Sequence, residues 1–317
     1  MLQVVEEDLR QPSTGEVRIK VLASHVSAPD IETRYGRSPF VVKPPFTPGY
    51  AVIGDVDAVG EGVDRAMIAE RVGALTAYGG YAEYLYWDAG QFIPVPGTLD
   101  PGKAVPIILN YIVAYHVMHR WAKVKHGDAV LIIGASGGIG TAFLQLGQLA
   151  DLKMYGIASQ SKHYALDAYG AMPIDYRTQD FVQVIREAEP RGLQAVFDGM
   201  AGDYFQKGFS VLARGGTLVG YGNPTSLRGM LRVLGQVLLF SLLPNGKSAK
   251  YYSTGVSRLN RRIFLEDWAT LFSLLGEGKI DPIIAAKFPI LEARKANELL
   301  ESGRVIGNVV LLAPELL

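Results

Sequence analysis

A two-part α/β chain, with a doubly wound parallel sheet joined to a β-rich domain, is the fold class that the sequence predicts. Three observations predict it. The chain has 317 residues, more than one hydrophobic core usually serves. Short alternating segments fill its first third, and after Pro106 the texture changes to apolar runs separated by helix-compatible stretches, the pattern of βαβ units over a parallel sheet. One of those runs ends in a glycine-rich turn that opens onto a helical pattern.

Residues 15–21 alternate polar and apolar side chains, as a strand with one buried face should. Strands are expected next at Tyr50–Val59, Arg71–Leu75 and Tyr81–Tyr86, with Gly79-Gly80 and Asp88-Ala89-Gly90 marking reversals. Ala129–Ile133, Met154–Ala158, Ala195–Phe197 and Thr217–Gly220 read as buried strands of the parallel sheet. The tail from 262 reads as a helix, a strand near Phe288, a helix over Glu292–Ser302 and a last strand Asn308–Leu312 returning to the first domain. Residues 1–106 with 262–317 are therefore expected as the β-rich domain and 107–261 as the sheet domain.

Composition narrows the function. Hydrophobic residues make up 49% and charged ones 20%, a folded globular balance. Thirty-one basic residues offset 31 acidic ones, so no global field draws the chain to nucleic acid. With no cysteine, disulfides, thiolate nucleophiles and cysteine-ligated metals are excluded. Residues 1–20 lack the apolar core of a secretory signal, which makes the cytoplasm the expected location. Residues 227–243 are the most apolar stretch, yet only eleven uncharged residues separate Arg232 from Pro244, short of the roughly 20 that span a bilayer. That stretch reads as a helix at a cleft or subunit contact, with an interfacial membrane contact as the lesser alternative.

The sharpest signal is Val130–Ile133 followed by Gly134-Ala135-Ser136-Gly137-Gly138-Ile139-Gly140 and an apolar helical pattern through Phe143, Leu144, Leu146 and Leu149. A pyrophosphate needs backbone amides brought close without side chains in the way, and it gains from the positive end of the following helix. This reads as the phosphate turn of a Rossmann domain, with Gly137, Gly138 and Gly140 removing the obstruction and Ser136, Gly137, Gly138 and Ile139 as the cradle, although tight turns and close helix packing also select glycine without a ligand. Nineteen residues beyond Gly140, where an NAD enzyme carries an acidic side chain, stands Ser159. A hydroxyl there, with Lys162 and Tyr176 nearby, accommodates a 2′-phosphate that a carboxylate would repel. The cofactor expected is NADPH.

These residues carry a resemblance. The glycine turn, Ser159-Gln160-Ser161-Lys162-His163, Asp175-Tyr176-Arg177, Phe197–Gly202 and Gly215–Gly222 follow one another as in the zinc-free quinone oxidoreductase branch of the medium-chain dehydrogenase/reductase superfamily. Leu109–Tyr115 and the Ser-Lys-His element resemble most the vesicle amine transport protein homologue group, relatives of zeta-crystallin. The resemblance implies a GroES-like β-barrel substrate domain, a Rossmann domain and a homodimer. It implies Lys162 and Tyr176 on the 2′-phosphate, with Gly199, Tyr221, Gly222, Asn223 and Asn308 completing the cofactor set.

Departures from that family bear on the chemistry. Where zinc-dependent relatives place cysteine and Gly-His-Glu, this chain has Ser27-Ala28-Pro29-Asp30 and Gly49-Tyr50-Ala51, so no metal is expected. Ser27 also replaces the asparagine that quinone oxidoreductases place on the nicotinamide side, and Ser38 replaces their tyrosine after the Arg-x-Gly turn. Hydride transfer to an enone or quinone still needs a donor to the developing oxyanion and a proton source. Tyr50, then Ser27, then Tyr111 are the candidates, although Ser27 suits a turn cap equally well. Asp30 and Asp198 are expected to hold turns through backbone amides, and His116 and His119 to lie on a helix surface.

The reading is an NADPH-dependent reductase of quinones or α,β-unsaturated carbonyl compounds. An alternative is a trans-acting enoyl-thioester reductase, whose carrier-bound substrate would meet Arg228, Arg232, Lys247 and Lys250. A third, of a different class, is a non-catalytic NADPH-binding scaffold.

Overall fold

The computed structural model describes residues 2–37, 43–222, 226–257 and 260–317. It divides into two compact units, Met1–Ile112 with Arg262–Leu317, and Val113–Arg261. Among the described residues the strands are, in chain order, β1 (Glu16–Val26), β2 (Ala51–Val59), β3 (Arg71–Leu75), β4 (Tyr84–Asp88), β5 (Ile93–Pro94), β6 (Ala129–Ile133), β7 (Lys153–Ala158), β8 (Met172–Asp175), β9 (Leu193–Asp198), β10 (Leu212–Gly220), β11 (Ser248–Tyr251), β12 (Ile284–Pro289) and β13 (Asn308–Leu312).

In the first unit, strands run in the order β12-β13-β1-β2-β3-β5, and β4 also pairs with β1. The first half of β1 obeys the period-two rule. Val17, Ile19 and Val21 enter a core with Val52, Val56, Val72, Leu85, Val309 and Leu311. Arg18 and Lys20 face outward and pair with Asp57 and Glu315. The strand then continues to Val26, beyond the expected end at Val21, because Leu22–Val26 is buried throughout. Burial on both faces erases the alternation that marks a strand in sequence. The strand expected at Tyr81–Tyr86 is shifted to β4, since the Tyr81 backbone N–H donates to the Pro48 carbonyl at 2.8 Å and holds that residue in a turn.

The second unit is a parallel sheet of order β11-β10-β9-β6-β7-β8. The chain moves outward from β6 to β8, then returns to β9 on the other side of β6. The order reverses between β6 and β9, and ligands bind outside the carboxyl ends of strands at such a switch point. The interior is apolar: Leu131, Ile133, Val196 and Leu218 are buried, and the Phe143 and Phe197 rings stack at 4.6 Å. Strands β8 and β11 were not expected from the sequence. Their segments, Met-Pro-Ile-Asp and Ser-Ala-Lys-Tyr, are edge strands of four residues each, and the first carries Pro173, which counts against a strand in sequence.

Candidate functional site

In the second unit the glycine turn leaves β6 and enters a helix over Gly138–Leu149. Gly134 adopts φ +83°, which favours glycine. A Cβ on Gly140 would lie 2.3 Å from the Gly134 carbonyl oxygen and 2.5 Å from the Ala135 carbonyl carbon. Gly140 therefore lets the helix pack on its own turn rather than opening space for a ligand. Gly137 is the N-cap and has no side chain with which to cap. The first-turn amides of a helix have no partner within it, and here Ser136, Gly137, Gly138 and Ile139 form the turn from which they point, beside the positive end of the helix dipole.

Two strands define the next corner. Ser159 follows β7 and is buried, with its hydroxyl 3.4 Å from that of Ser161. Lys162 lies in the turn Gln160–Lys162, and partial burial lowers its ammonium below the usual lysine range. Tyr176 follows β8 and is half exposed, with the Arg177 guanidinium 5.5 Å from its ring centre. The adjacent carboxylate, Asp175, is turned into its own loop. It accepts the Arg177 amide at 3.1 Å and the Thr178 hydroxyl at 3.2 Å.

Beyond β9, Asp198 accepts the amides of Met200 and Ala201 at 2.8 and 3.0 Å through Oδ1. Its Oδ2 is buried with no partner among the described residues, and burial pushes its carboxyl up. Gly199 lies flat against Tyr221: a Cβ there would sit 2.8 Å from the ring. The Tyr221 side chain is buried against Phe143, so it supports the turn from below. Gly222, at φ +101°, is fixed by the Tyr251 hydroxyl, which donates to its carbonyl at 2.7 Å. Asn223 lies outside the described residues. His116, expected on a helix surface, is instead buried, with Nδ1 3.2 Å from the Tyr252 hydroxyl. The helix carrying it packs against the sheet.

In the first unit, Ser27 caps the helix Ala28–Arg34. Its amide and hydroxyl both donate to Asp30 Oδ2, at 2.9 and 2.5 Å, and the Gly49 amide donates to Asp30 Oδ1 at 2.8 Å. Burial raises the Asp30 carboxyl to about 6, against the pull of those donors. The Ser27 proton is thereby engaged in a turn. Tyr50 is anchored on both sides. Its carbonyl accepts the amides of Thr76 and Ala77, and the Gly49 carbonyl accepts the Thr76 hydroxyl at 2.5 Å. Gly49, at φ +114°, crosses Gly80 so closely that a Cβ would lie 2.4 Å from the Gly80 Cα. The tyrosine is thus presented from a rigid glycine crossing, partly exposed. Tyr111 ends a π-helical turn, Ile107–Tyr111, and is fully buried.

Asn308 opens β13, also in this unit. Its Oδ1 accepts Asn110 Nδ2 at 2.7 Å and lies 3.1 Å from His25 Nε2, while its Nδ2 donates to the Ile283 carbonyl at 3.0 Å. Burial pushes the His25 imidazole down to about 4, so it is neutral at pH 7. This His25-Asn110-Asn308 cluster escaped the sequence reading, since nothing local marks three residues so far apart as neighbours. A polar residue inside an apolar strand, as His25 is, was the available signal. Among the described residues no group of three or more His, Asp or Glu side chains could hold a metal.

The chain matches the alcohol dehydrogenase GroES-like domain model over residues 13–97 and the zinc-binding dehydrogenase model over residues 169–311. It is 30% identical over 313 residues to the synaptic vesicle membrane protein VAT-1 homolog of Rattus norvegicus, covering 95% of this chain and 78% of the relative. In the longer Danio rerio counterpart the match spans 64% of the relative. A quinone oxidoreductase of Rattus norvegicus is 27% identical over 95% of this chain and 90% of its own length. The crystal structure of a 2-haloacrylate reductase superposes with a TM-score of 0.82 at 27% identity, over 98% of this chain and 94% of that one.

Proposed function

The chain belongs to the medium-chain dehydrogenase/reductase superfamily of oxidoreductases, whose members bind a nicotinamide cofactor, and from that membership we propose an NADPH-dependent, metal-independent reductase of quinones or α,β-unsaturated carbonyl compounds. The observation that carries the finer reading is the corner beyond β7 and β8. A neutral hydroxyl (Ser159), an ammonium (Lys162) and a phenol (Tyr176) follow adjacent strand ends, while the adjacent carboxylate, Asp175, is tied into its loop. Charge-assisted hydrogen bonds suit a phosphate there, and an adenosine ribose without one gains nothing from the lysine.

The residues fit that cofactor in two further respects. The amides of Gly138 and Ile139, in the first turn of the helix with no side-chain cap, suit a pyrophosphate, while the Gly137 amide closes the turn on the Gly134 carbonyl at 3.1 Å; at the next turn Gly199 lies against the Tyr221 ring. NADPH supplies a hydride when bound. What the protein adds is placement and charge stabilisation. Tyr50 is our candidate donor to the developing oxyanion, held by its glycine crossing. Ser27 acts through Asp30 as a positioning residue, Tyr111 lies fully buried within the first unit, and Asn308 is ordered by His25 and Asn110. A relative named quinone oxidoreductase and one named 2-haloacrylate reductase support the two substrate classes, because each pairs an electron-poor carbon with an oxygen that takes up charge.

A homodimer in the cytoplasm belongs to the same proposal. Among the described residues no helix is long and apolar enough to cross a membrane. The test is NADPH oxidation, followed by absorbance, with a panel of quinones, enones and enoyl thioesters. Turnover confined to quinones or enones supports the reading. Turnover of thioesters alone moves the protein to the carrier-bound class, and no turnover with any acceptor overturns the proposal.

A further inference from the structure

Six asparagines occur in the chain, and only Asn245 is followed by glycine; the others precede Tyr111, Pro224, Arg261, Glu298 and Val309. A side chain on the following residue shields its backbone nitrogen, and glycine has none. Asn110, Asn297 and Asn308 are buried. Asn245 and Gly246 stand exposed in the turn between the helix Leu227–Ser241 and β11.

The turn aligns the two groups. The Lys247 backbone N–H donates to Asn245 Oδ1 at 3.0 Å, and such a turn folds the side-chain amide over the intervening Gly246 nitrogen. Among the described residues that nitrogen donates to no acceptor, while the Gly246 carbonyl is held by the Gly215 amide at 2.7 Å. Gly246 itself adopts φ +71°. The Arg214 side chain runs beside it, with Nε 3.3 Å from where a Cβ would stand. Negative charge built on Oδ1 during attack at Cγ therefore meets a backbone donor and a nearby cation. From residue 204 to residue 265 the sequence has nine lysines and arginines and no aspartate or glutamate, so no carboxylate of that stretch opposes the charge.

We infer that Asn245 is a self-modifying site, which converts through a cyclic imide to aspartate and isoaspartate and so loosens the edge strand that follows. The Gly246 nitrogen gives its proton to solvent and bonds to Asn245 Cγ. The Cγ–Nδ2 bond breaks, and the side-chain nitrogen leaves as ammonia with a proton taken back from solvent. One water then opens the imide. Breaking the new Cγ–N bond gives aspartate, and breaking the bond to the Asn245 main-chain carbonyl carbon gives isoaspartate. Nothing is oxidised or reduced.

The product is a carboxylate, ionised at neutral pH, beside Lys247, whose ammonium reaches the Ser210 and Phe209 carbonyls at 3.2 and 3.4 Å. Isoaspartate also adds a carbon to the main chain just before β11, which pairs with β10 from Ser248 opposite Thr217. Strand β11 lies at the edge of its sheet and has β10 as its one neighbour. Tyr251, which fixes the Gly222 carbonyl, is on that strand.

Peptide mapping by mass spectrometry tests this on the full chain, incubated at neutral pH and in mild alkali. Asn245 should convert at least about tenfold faster than Asn260, the other exposed asparagine among the described residues. Conversion should quicken in alkali, because the nucleophile is the deprotonated amide, and fragmentation should show isoaspartate beside aspartate. Arg214→Gln should slow it roughly threefold, and Asn245→Gln should stay unmodified with the stability of the parent. The modified fraction, separated by ion exchange, should unfold at lower urea concentration than the parent. Conversion no faster at Asn245 than at Asn260, conversion only after unfolding in urea, or a rate indifferent to Arg214→Gln would overturn the site. A modified fraction as stable as the parent would overturn its effect on β11.

Discussion

Ala158 lies opposite Asp175 in the parallel register of β7 and β8, so Ser159 and Tyr176, the next residue on each strand, leave the same end of the sheet side by side. Their nearness comes from strand pairing, which a substitution at either position leaves intact. The corner can therefore be altered chemically without being dismantled.

Removing the cation or the phenol should separate the two nicotinamide cofactors. Lys162→Ala and Tyr176→Phe are each expected to weaken NADPH roughly 10- to 100-fold, the value of a hydrogen bond to a charged group, and to leave NADH unchanged. Calorimetric titration with both cofactors checks this. An equal loss for both would move these residues away from the 2′-phosphate.

The glycines of the phosphate turn should behave differently from one another. Gly140→Ala forces a methyl into the Gly134 and Ala135 backbone and should destabilise the protein by roughly 1–3 kcal/mol in urea melts. Gly137 has extended backbone, and its nearest neighbour to an added Cβ is 3.5 Å away. Gly137→Ala should leave stability near the parent's and weaken NADPH. The reverse pattern would mean that Gly137 holds the turn and Gly140 faces the ligand.

Two buried groups of the first unit should oppose each other in acid. Asp30 is raised to about 6, so its contribution is present below the unfolded carboxylate range and is lost as pH rises from about 4 to about 6. His25 is lowered to about 4, so its contribution is present above the ordinary histidine range and is lost as pH falls from about 6.5 to about 4. Each effect is of order 3 kcal/mol, and in the parent they largely cancel between those limits. Asp30→Asn should expose a stability that falls with acid, and His25→Asn one that rises with it. Denaturation midpoints measured across that range decide it, and parallel profiles for the two variants would remove both assignments.

Tyr50→Phe should lower kcat by roughly 100-fold, as loss of an oxyanion donor does, with NADPH affinity unchanged. Unaltered turnover would discard Tyr50 as the donor.

Much of this was legible in the sequence, unevenly. The run Val130–Ile133 with its glycine turn is a local signal, and the structure realises it as strand, turn and helix. The pairing of Asp198 with the amides of Met200 and Ala201 was equally local. The second half of β1 was not visible, because two-sided burial removes its alternation, and edge strands β8 and β11, four residues each and the first broken by Pro173, are too short to announce themselves. The site was least legible where function depends on distant residues. Nothing near Asn308 tells that its amide is shared with His25 and Asn110, whereas the Ser27–Asp30 cap, three residues apart, was a local pattern. The stretch at residues 227–243 was visible as apolar, but only the fold shows which side of its helix, Leu227–Ser241, faces out.

Titration of the unaltered protein with NADPH and NADH at one salt concentration tests the central claim most directly. The account predicts that NADPH binds at least about tenfold tighter, through the ammonium and hydroxyls of the corner. Equal affinity, or a preference for NADH, would contradict it.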